Sequence, residues 1–248
     1  MNNQRPATAG LFCWNNLKND YNERRIGWRC VVEKFEVAKI VEQKIKELMT
    51  GESSGHDWWH VKRVHDLAVG IGKKTDADEF VVKMIALLHD IYDGKFSDGN
   101  PEEQLKKLLK ELEVFEHIEK DDLENILFSV VNLGFKGGFS KVKLSLEGQI
   151  VQDADRIDAL GAVGIARTFA YGGKKNRVIY DPDVGIVEIQ NEEEYRTLNR
   201  HSVNHFYEKL LLLKDTMNTD EGRTIAEKRT EYMQEFLNEF YAEWNGEK

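Results

Sequence analysis

The chain has 248 residues, enough for one domain with a sizeable core, and carries 35 Lys+Arg against 44 Asp+Glu for a formal net charge of −9. That balance disfavours duplex nucleic acid as a partner, because such binding rests on phosphate neutralisation. With 3 prolines and 41% hydrophobic residues the composition favours long helices over a loop-rich β architecture, and no apolar run approaches the ~18–20 residues of a membrane span.

Residues 1–30 mix Asn, Lys, Arg and two Trp without a clear period, and are read as an N-terminal extension preceding a domain over 31–248. The polar start carries no secretory apolar core, so a cytoplasmic location is expected, without a membrane partner. Cys13 and Cys30 are the only cysteines. They are expected as reduced thiols in that compartment.

From residue 31 a helical period takes over. Val37, Ile40, Val41, Ile45, Leu48 and Met49 recur at three- and four-residue steps, predicting a helix over 31–50 that ends at Gly51-Glu-Ser-Ser-Gly55. Helices are predicted next over 57–74 and 77–90. After a loop, Pro101 suits the first turn of a helix carried by Leu105, Leu108, Leu109 and Leu112. Another is predicted over 122–133, then a glycine-rich connection at Gly134-Phe-Lys-Gly-Gly-Phe139. The period then predicts one helix over 145–171. The span 176–189 reads as a loop or a short hairpin. Two long helices, 194–213 and 220–244, complete an all-α fold, a helical bundle in a single domain.

Polar residues on the apolar faces single out a site. His89-Asp90 closes the run Phe80-Val-Val-Lys-Met-Ile-Ala-Leu-Leu-His-Asp90. A buried imidazole and carboxylate need compensation, and a divalent cation supplies it. His89 shares its face with Ile85 and Val82. His60 shares one with Val64, Leu67 and Ile71, whereas His65 lies about 140° away and reads as an edge residue. In Val151-Gln-Asp-Ala-Asp-Arg-Ile-Asp-Ala-Leu160, Asp155 shares its face with Val151, Ala159 and Ala162. Asp158 lies beside that face. Asp153 points nearly the opposite way, toward solvent or an outer shell. The candidate ligand set is therefore His60, His89, Asp90 and Asp155. Two imidazoles and two carboxylates suit Mn²⁺ first, with Fe²⁺, Co²⁺ or Ni²⁺ compatible and Mg²⁺ less suited.

The order H…HD…D carried by His60, His89-Asp90 and Asp155 resembles that of the HD-domain superfamily of metal-dependent phosphohydrolases. Gly55-His-Asp-Trp-Trp-His60, Leu87-Leu-His-Asp-Ile91, Gln152-Asp-Ala-Asp-Arg-Ile-Asp-Ala-Leu-Gly161 and Arg167-Thr-Phe-Ala-Tyr-Gly-Gly173 resemble its small stand-alone bacterial branch. The resemblance implies an all-α phosphohydrolase acting on nucleotides, and within that branch the conversion of a nucleoside triphosphate to a monophosphate and pyrophosphate. Alternatives are a phosphomonoesterase or phosphodiesterase on a monophosphate, cyclic nucleotide or alarmone, and a non-catalytic binding module.

Related families place an acidic residue three positions after the HD aspartate to act on the attacking water. That position is Asp93 here, with Asp where Glu is common. Arg63 and Lys95 are candidate catalytic cations, and Arg156, His205 and Lys209 candidate substrate contacts. His201 and His205 stand four apart, but the segment between them lacks a Glu, so a surface His201 and a cleft-lining His205 are expected rather than a second metal site. Trp58 and Trp59 are candidates for base stacking or core packing. A homodimer is kept as an assembly to test.

Overall fold

The computed structural model describes residues 33–51, 57–91, 100–134, 142–185 and 201–248. The expectations for residues 1–30, Cys13, Cys30, Asp93 and Lys95 lie outside them. The described residues form helices and turns with no strand, in the all-α class predicted. No described helix is long and apolar enough to cross a membrane.

Helix α1 (Lys34–Met49) buries Val37, Ala38, Val41, Ile45 and Met49. Ile40 and Leu48 of the predicted stripe remain exposed, so the buried face is narrower than the apolar one. Helix α2 (Trp58–Gly72) starts at Asp57, whose side chain accepts from the backbone N–H of His60 at 2.9 Å. Such a cap contributes about 1 kcal/mol and fixes where the first turn begins. His60, the third residue of α2, is thereby set in register with the buried Val61, Val64, Ala68 and Ile71. Helix α3 (Glu79–Leu88) is capped by Asp78 and buries Phe80, Val81, Val82 and Met84 through Leu88. Almost every side chain is covered because α3 packs against α1, α2, α5 and α6, which makes it the central helix. Burial of one such side chain stabilises by roughly 1.5–3 kcal/mol, and its run of apolar residues is what that position requires.

Helices α4 (Pro101–Glu111) and α5 (Lys120–Asn132) follow, α4 with Asn100 as its cap and proline in its first turn. The predicted single helix over 145–171 is two, α6 (Leu146–Asp158) and α7 (Gly161–Lys174). The apolar period runs across the break, but Leu160 is extended and Gly161 has φ +70°. A side chain at Gly161 would strain the backbone, and its Cβ would also come within 3.2 Å of Arg229 Cγ.

The predicted helix over 194–213 is also corrected. Its described part is a five-residue helix, α8 (Asn204–Glu208), followed by a 3-10 segment, Leu210–Thr216. Of the span 176–189, the described residues 176–185 contain turns and bends and no strand. Helix α9 (Asp220–Trp244) matches its predicted bounds, begins at the cap Thr219, and packs on α6 and α7.

Candidate metal centre

The mutually packed helices α2, α3 and α6 bring three predicted ligands together. His60 Nε2 lies 3.2 Å from His89 Nε2 and 3.4 Å from Asp155 Oδ1. His89 Nε2 lies 3.9 Å from the same oxygen. Ligand atoms about 2.1 Å from a shared cation stand about 3.0–3.4 Å apart, so these side chains need to shift by only a few tenths of an ångström to hold one. Asp90 stands at the edge of the group. Its Oδ2 is 3.9 Å from His60 Nε2, but it falls outside the set of atoms mutually within 4.8 Å, which among the described residues is His60, His89 and Asp155.

The hydrogen bonds behind the ligands decide what the front atoms are. His89 Nδ1 lies 2.7 Å from the carbonyl oxygen of Ala86. A carbonyl only accepts, so Nδ1 carries the proton and Nε2 of the neutral ring is a bare lone pair. His60 Nδ1 lies 2.7 Å from Asp158 Oδ2 and donates to it, which bares its Nε2 as well. Two lone pairs and a carboxylate oxygen therefore face one another at short range. Such a group calls for a cation in its midst, and it is the donor set of a divalent metal site.

Without a metal, a proton on His60 serves that purpose. Burial lowers the His60 pKa, but the hydrogen bonds and charges of Asp155 and Asp158 outweigh it and raise it to about 9. Burial pushes Asp155 upward, yet the hydrogen bond of His60 and the charges of His89, His60 and Lys209 hold its carboxyl well below the usual range. The Asp155 side chain is 31% exposed, so the group opens to solvent on that side.

A pH dependence follows. The unfolded-state pKa of histidine is ~6.5, so the stability that His60 protonation gives the metal-free fold is complete below that pH and lost as pH rises through about 9. Metal must displace that proton. The rise in melting temperature on saturation with Mn²⁺ should therefore be larger at pH 8.5 than at pH 6.5 by scanning calorimetry. An equal or smaller rise at pH 8.5 would count against this coupling.

The other predicted site residues fall as follows. Arg63 reaches Asp158 with both arms, Nε to Oδ1 at 2.7 Å and Nη2 to Oδ2 at 3.0 Å. Arg156 donates from Nη1 to the carbonyl of Thr216 at 2.5 Å and so ties α6 to the 3-10 segment. Lys209 follows α8 closely enough to the centre for its charge to act on Asp155. His205 precedes it by one turn, its carbonyl accepting from the Lys209 N–H at 3.2 Å. His65 sits beside Asp66, off the core face. Trp58 is buried under Lys46, whereas Trp59 is exposed.

Two expectations are overturned. Asp153 does not face solvent. It is fully buried and accepts from the backbone N–H and side chain of both Asn218 and Thr219, at 2.8–2.9 Å. Its carboxylate anchors the start of α9 on α6, so its direction away from Asp155 was read correctly and its surroundings were not. His201 is not on the surface either. It is 2% exposed, its Nδ1 accepts from the Asn204 N–H, and its ring packs edge-on against Tyr180.

Sequence reasoning missed the roles of Asp158 and Arg167. Asp158 is 2% exposed and binds His60, Arg63 and Arg167 together. Burial pushes its carboxyl up, but His60 and the two guanidiniums prevail and keep it far below the usual range. The available signal was a third buried-type aspartate one helical turn after Asp155, with an arginine three residues after His60.

Comparison with known proteins places this arrangement. Residues 58–160, which span the proposed ligands, match the HD domain family. YpgQ of Bacillus subtilis is 37% identical over 210 residues, 84% of this chain and 94% of that protein. An HD-superfamily hydrolase of known structure from Bacillus thuringiensis is 39% identical, with a TM-score of 0.68 over 86% of this chain and 99% of that one. The crystal structure of YpgQ in complex with ADP superposes with a TM-score of 0.67 at 34% identity, covering 85% of this chain and 96% of that one. The fold, the converging His and Asp side chains and these similarities have one reading: the chain belongs to the HD-domain superfamily of hydrolases.

Proposed function

We propose that this protein is a metal-dependent phosphohydrolase that hydrolyses nucleoside or deoxynucleoside triphosphates to the monophosphate and pyrophosphate. The observation that carries the reading is the convergence of His60 Nε2, His89 Nε2 and Asp155 Oδ1 with both imidazole Nδ1 atoms engaged behind them. Support for a nucleotide comes from the relative YpgQ, whose crystal structure contains ADP.

His60, His89, Asp90 and Asp155 would hold the metal, with Mn²⁺ the first choice. When bound, it supplies Lewis acidity toward a phosphate oxygen and acidifies a water. Asp93, three residues beyond Asp90 in the sequence, orients that water and takes its proton. Water adds across the bond between the α- and β-phosphates, its oxygen going to the α-phosphorus while pyrophosphate leaves. Lys209 and Arg156, whose charges both bear on Asp155, stabilise the negative charge gathering on the phosphates, a role that Lys95 and His205 share. Arg63 acts through Asp158.

The test is incubation with Mn²⁺ and each of the nucleoside monophosphates, triphosphates, cyclic nucleotides and guanosine alarmones, with product identification. Monophosphate plus pyrophosphate from triphosphates is expected. Inorganic phosphate from monophosphates would replace the proposal with a phosphomonoesterase, and no release from any substrate would favour a binding module. In the same assay Asp93→Asn should lower turnover by about 10²–10⁴-fold while leaving metal content unchanged. Wild-type turnover in that variant would remove Asp93 from the mechanism.

A further inference from the structure

We propose that Asp158, gripped by Arg63 of α2 and Arg167 of α7, is a positioning residue that fixes the tautomer and ring orientation of His60 and so sets the metal affinity of the centre. The proposal rests on the metal-centre reading above and adds to it the device that prepares one ligand.

The geometry is saturated. Asp158 Oδ1 accepts from Arg63 Nε at 2.7 Å. Oδ2 accepts from Arg63 Nη2 at 3.0 Å, Arg167 Nη1 at 2.6 Å and His60 Nδ1 at 2.7 Å. An ionised carboxylate offers about four lone-pair sites, so these donors leave it little freedom to turn. The Arg63 fork is bidentate, the pairing that constrains a carboxylate plane most firmly. With that plane fixed, the line along which His60 Nδ1 can donate is fixed, and the opposite ring nitrogen is aimed between His89 and Asp155. His89 needs no such device, because the Ala86 carbonyl that orients it belongs to its own helix.

The position of Asp158 explains why two arginines are needed. It is the last residue of α6, where the helix dipole places partial negative charge and an anion is disfavoured. Arginines crowd this end of the helix. Arg167 Nη1 also lies 3.3 Å from the Asp158 carbonyl oxygen, and Arg229 Nη1 donates to the carbonyl of Ile157 at 2.8 Å. Their charges permit a buried carboxylate at a helix C-terminus. A purely structural tie between α2, α6 and α7 would not need the carboxylate to meet an imidazole that also faces the cation position. Buried ion pairs are moreover weak contributors to stability beside apolar residues of equal volume.

The experiment measures Co²⁺ affinity by chelator competition and records the visible absorption of the cobalt-loaded protein, for wild type, Asp158→Asn and Arg167→Gln. An amide at 158 loses the charge and can donate to Nδ1, which lets His60 carry its proton on Nε2. Asp158→Asn should weaken Co²⁺ binding by about 10–100-fold and change the absorption band, with a cooperative melt retained. Arg167→Gln, which loosens the carboxylate without removing it, should weaken binding less. Folded Asp158→Asn with wild-type affinity and an unchanged band overturns the proposal. Should that variant fail to fold, wild-type affinity in Arg167→Gln overturns it instead. Wild-type protein that takes up no Co²⁺ overturns the metal-centre reading and the clamp with it. Wild-type uptake matched by both variants overturns the clamp alone.

Discussion

Asp155→Ala is expected to release the metal and abolish hydrolysis while leaving the helical fold in place. Asp155 supplies the carboxylate oxygen that stands 3.4 Å and 3.9 Å from the two imidazole nitrogens. Without it Asp90 is the one carboxylate left among the predicted ligands, and Asp90 stands off the common centre. A divalent cation at a site missing one carboxylate loses both charge neutralisation and geometry. The 31% exposure of the Asp155 side chain means that alanine there leaves a water-filled notch rather than a core cavity. Elemental analysis after gel filtration should find about one equivalent in the wild type and none in the variant, a loss that accompanies the loss of activity. Equal metal content in the two proteins would refute the assignment.

Asp153→Ala, two residues away on the same helix, should give the opposite result: metal retained, stability lost. Both Asp153 oxygens are engaged by Asn218 and Thr219, and the carboxylate is fully buried. Net contributions of about 1.5–3 kcal/mol attach to hydrogen bonds with a charged group, and removing the acceptor also strands two backbone N–H donors at the start of α9. A total of about 3–5 kcal/mol is expected, within the range of broken buried networks. For a chain of this length that lowers the melting temperature by roughly 10–15 °C. A variant that melts with the wild type would show that α9 does not depend on this anchor.

These two aspartates show what the sequence could and could not convey. Helical rotation correctly sent Asp155 and Asp153 to opposite sides of α6. It carried no information about what lies on each side, since the start of α9 is brought to Asp153 from 65 residues later in the chain. Asp158 was placed beside the ligand face, but its partner His60 is 98 residues away, and a period within one helix does not name a partner on another. The ligands His60 and His89 were legible because each interrupts an otherwise apolar face, where a polar residue demands an explanation.

Element boundaries divided in the same way. The starts of α2, α3, α4 and α9 fall within two residues of those predicted, and each is fixed by a capping side chain, Asp57, Asp78, Asn100 or Thr219, that accepts from first-turn N–H groups. The break between α6 and α7 was not, because apolar spacing continues through it and the decisive feature is the left-handed backbone at Gly161. The 3-10 geometry of Leu210–Thr216 was equally hidden, since a run of four leucines suits either helix.

Anomalous diffraction at the manganese edge, from crystals grown with Mn²⁺, will show whether His60, His89, Asp90 and Asp155 share one cation. A single strong peak is expected about 2.0–2.3 Å from His60 Nε2, His89 Nε2 and an Asp155 carboxylate oxygen. Full metal content with no anomalous peak between these side chains would contradict it.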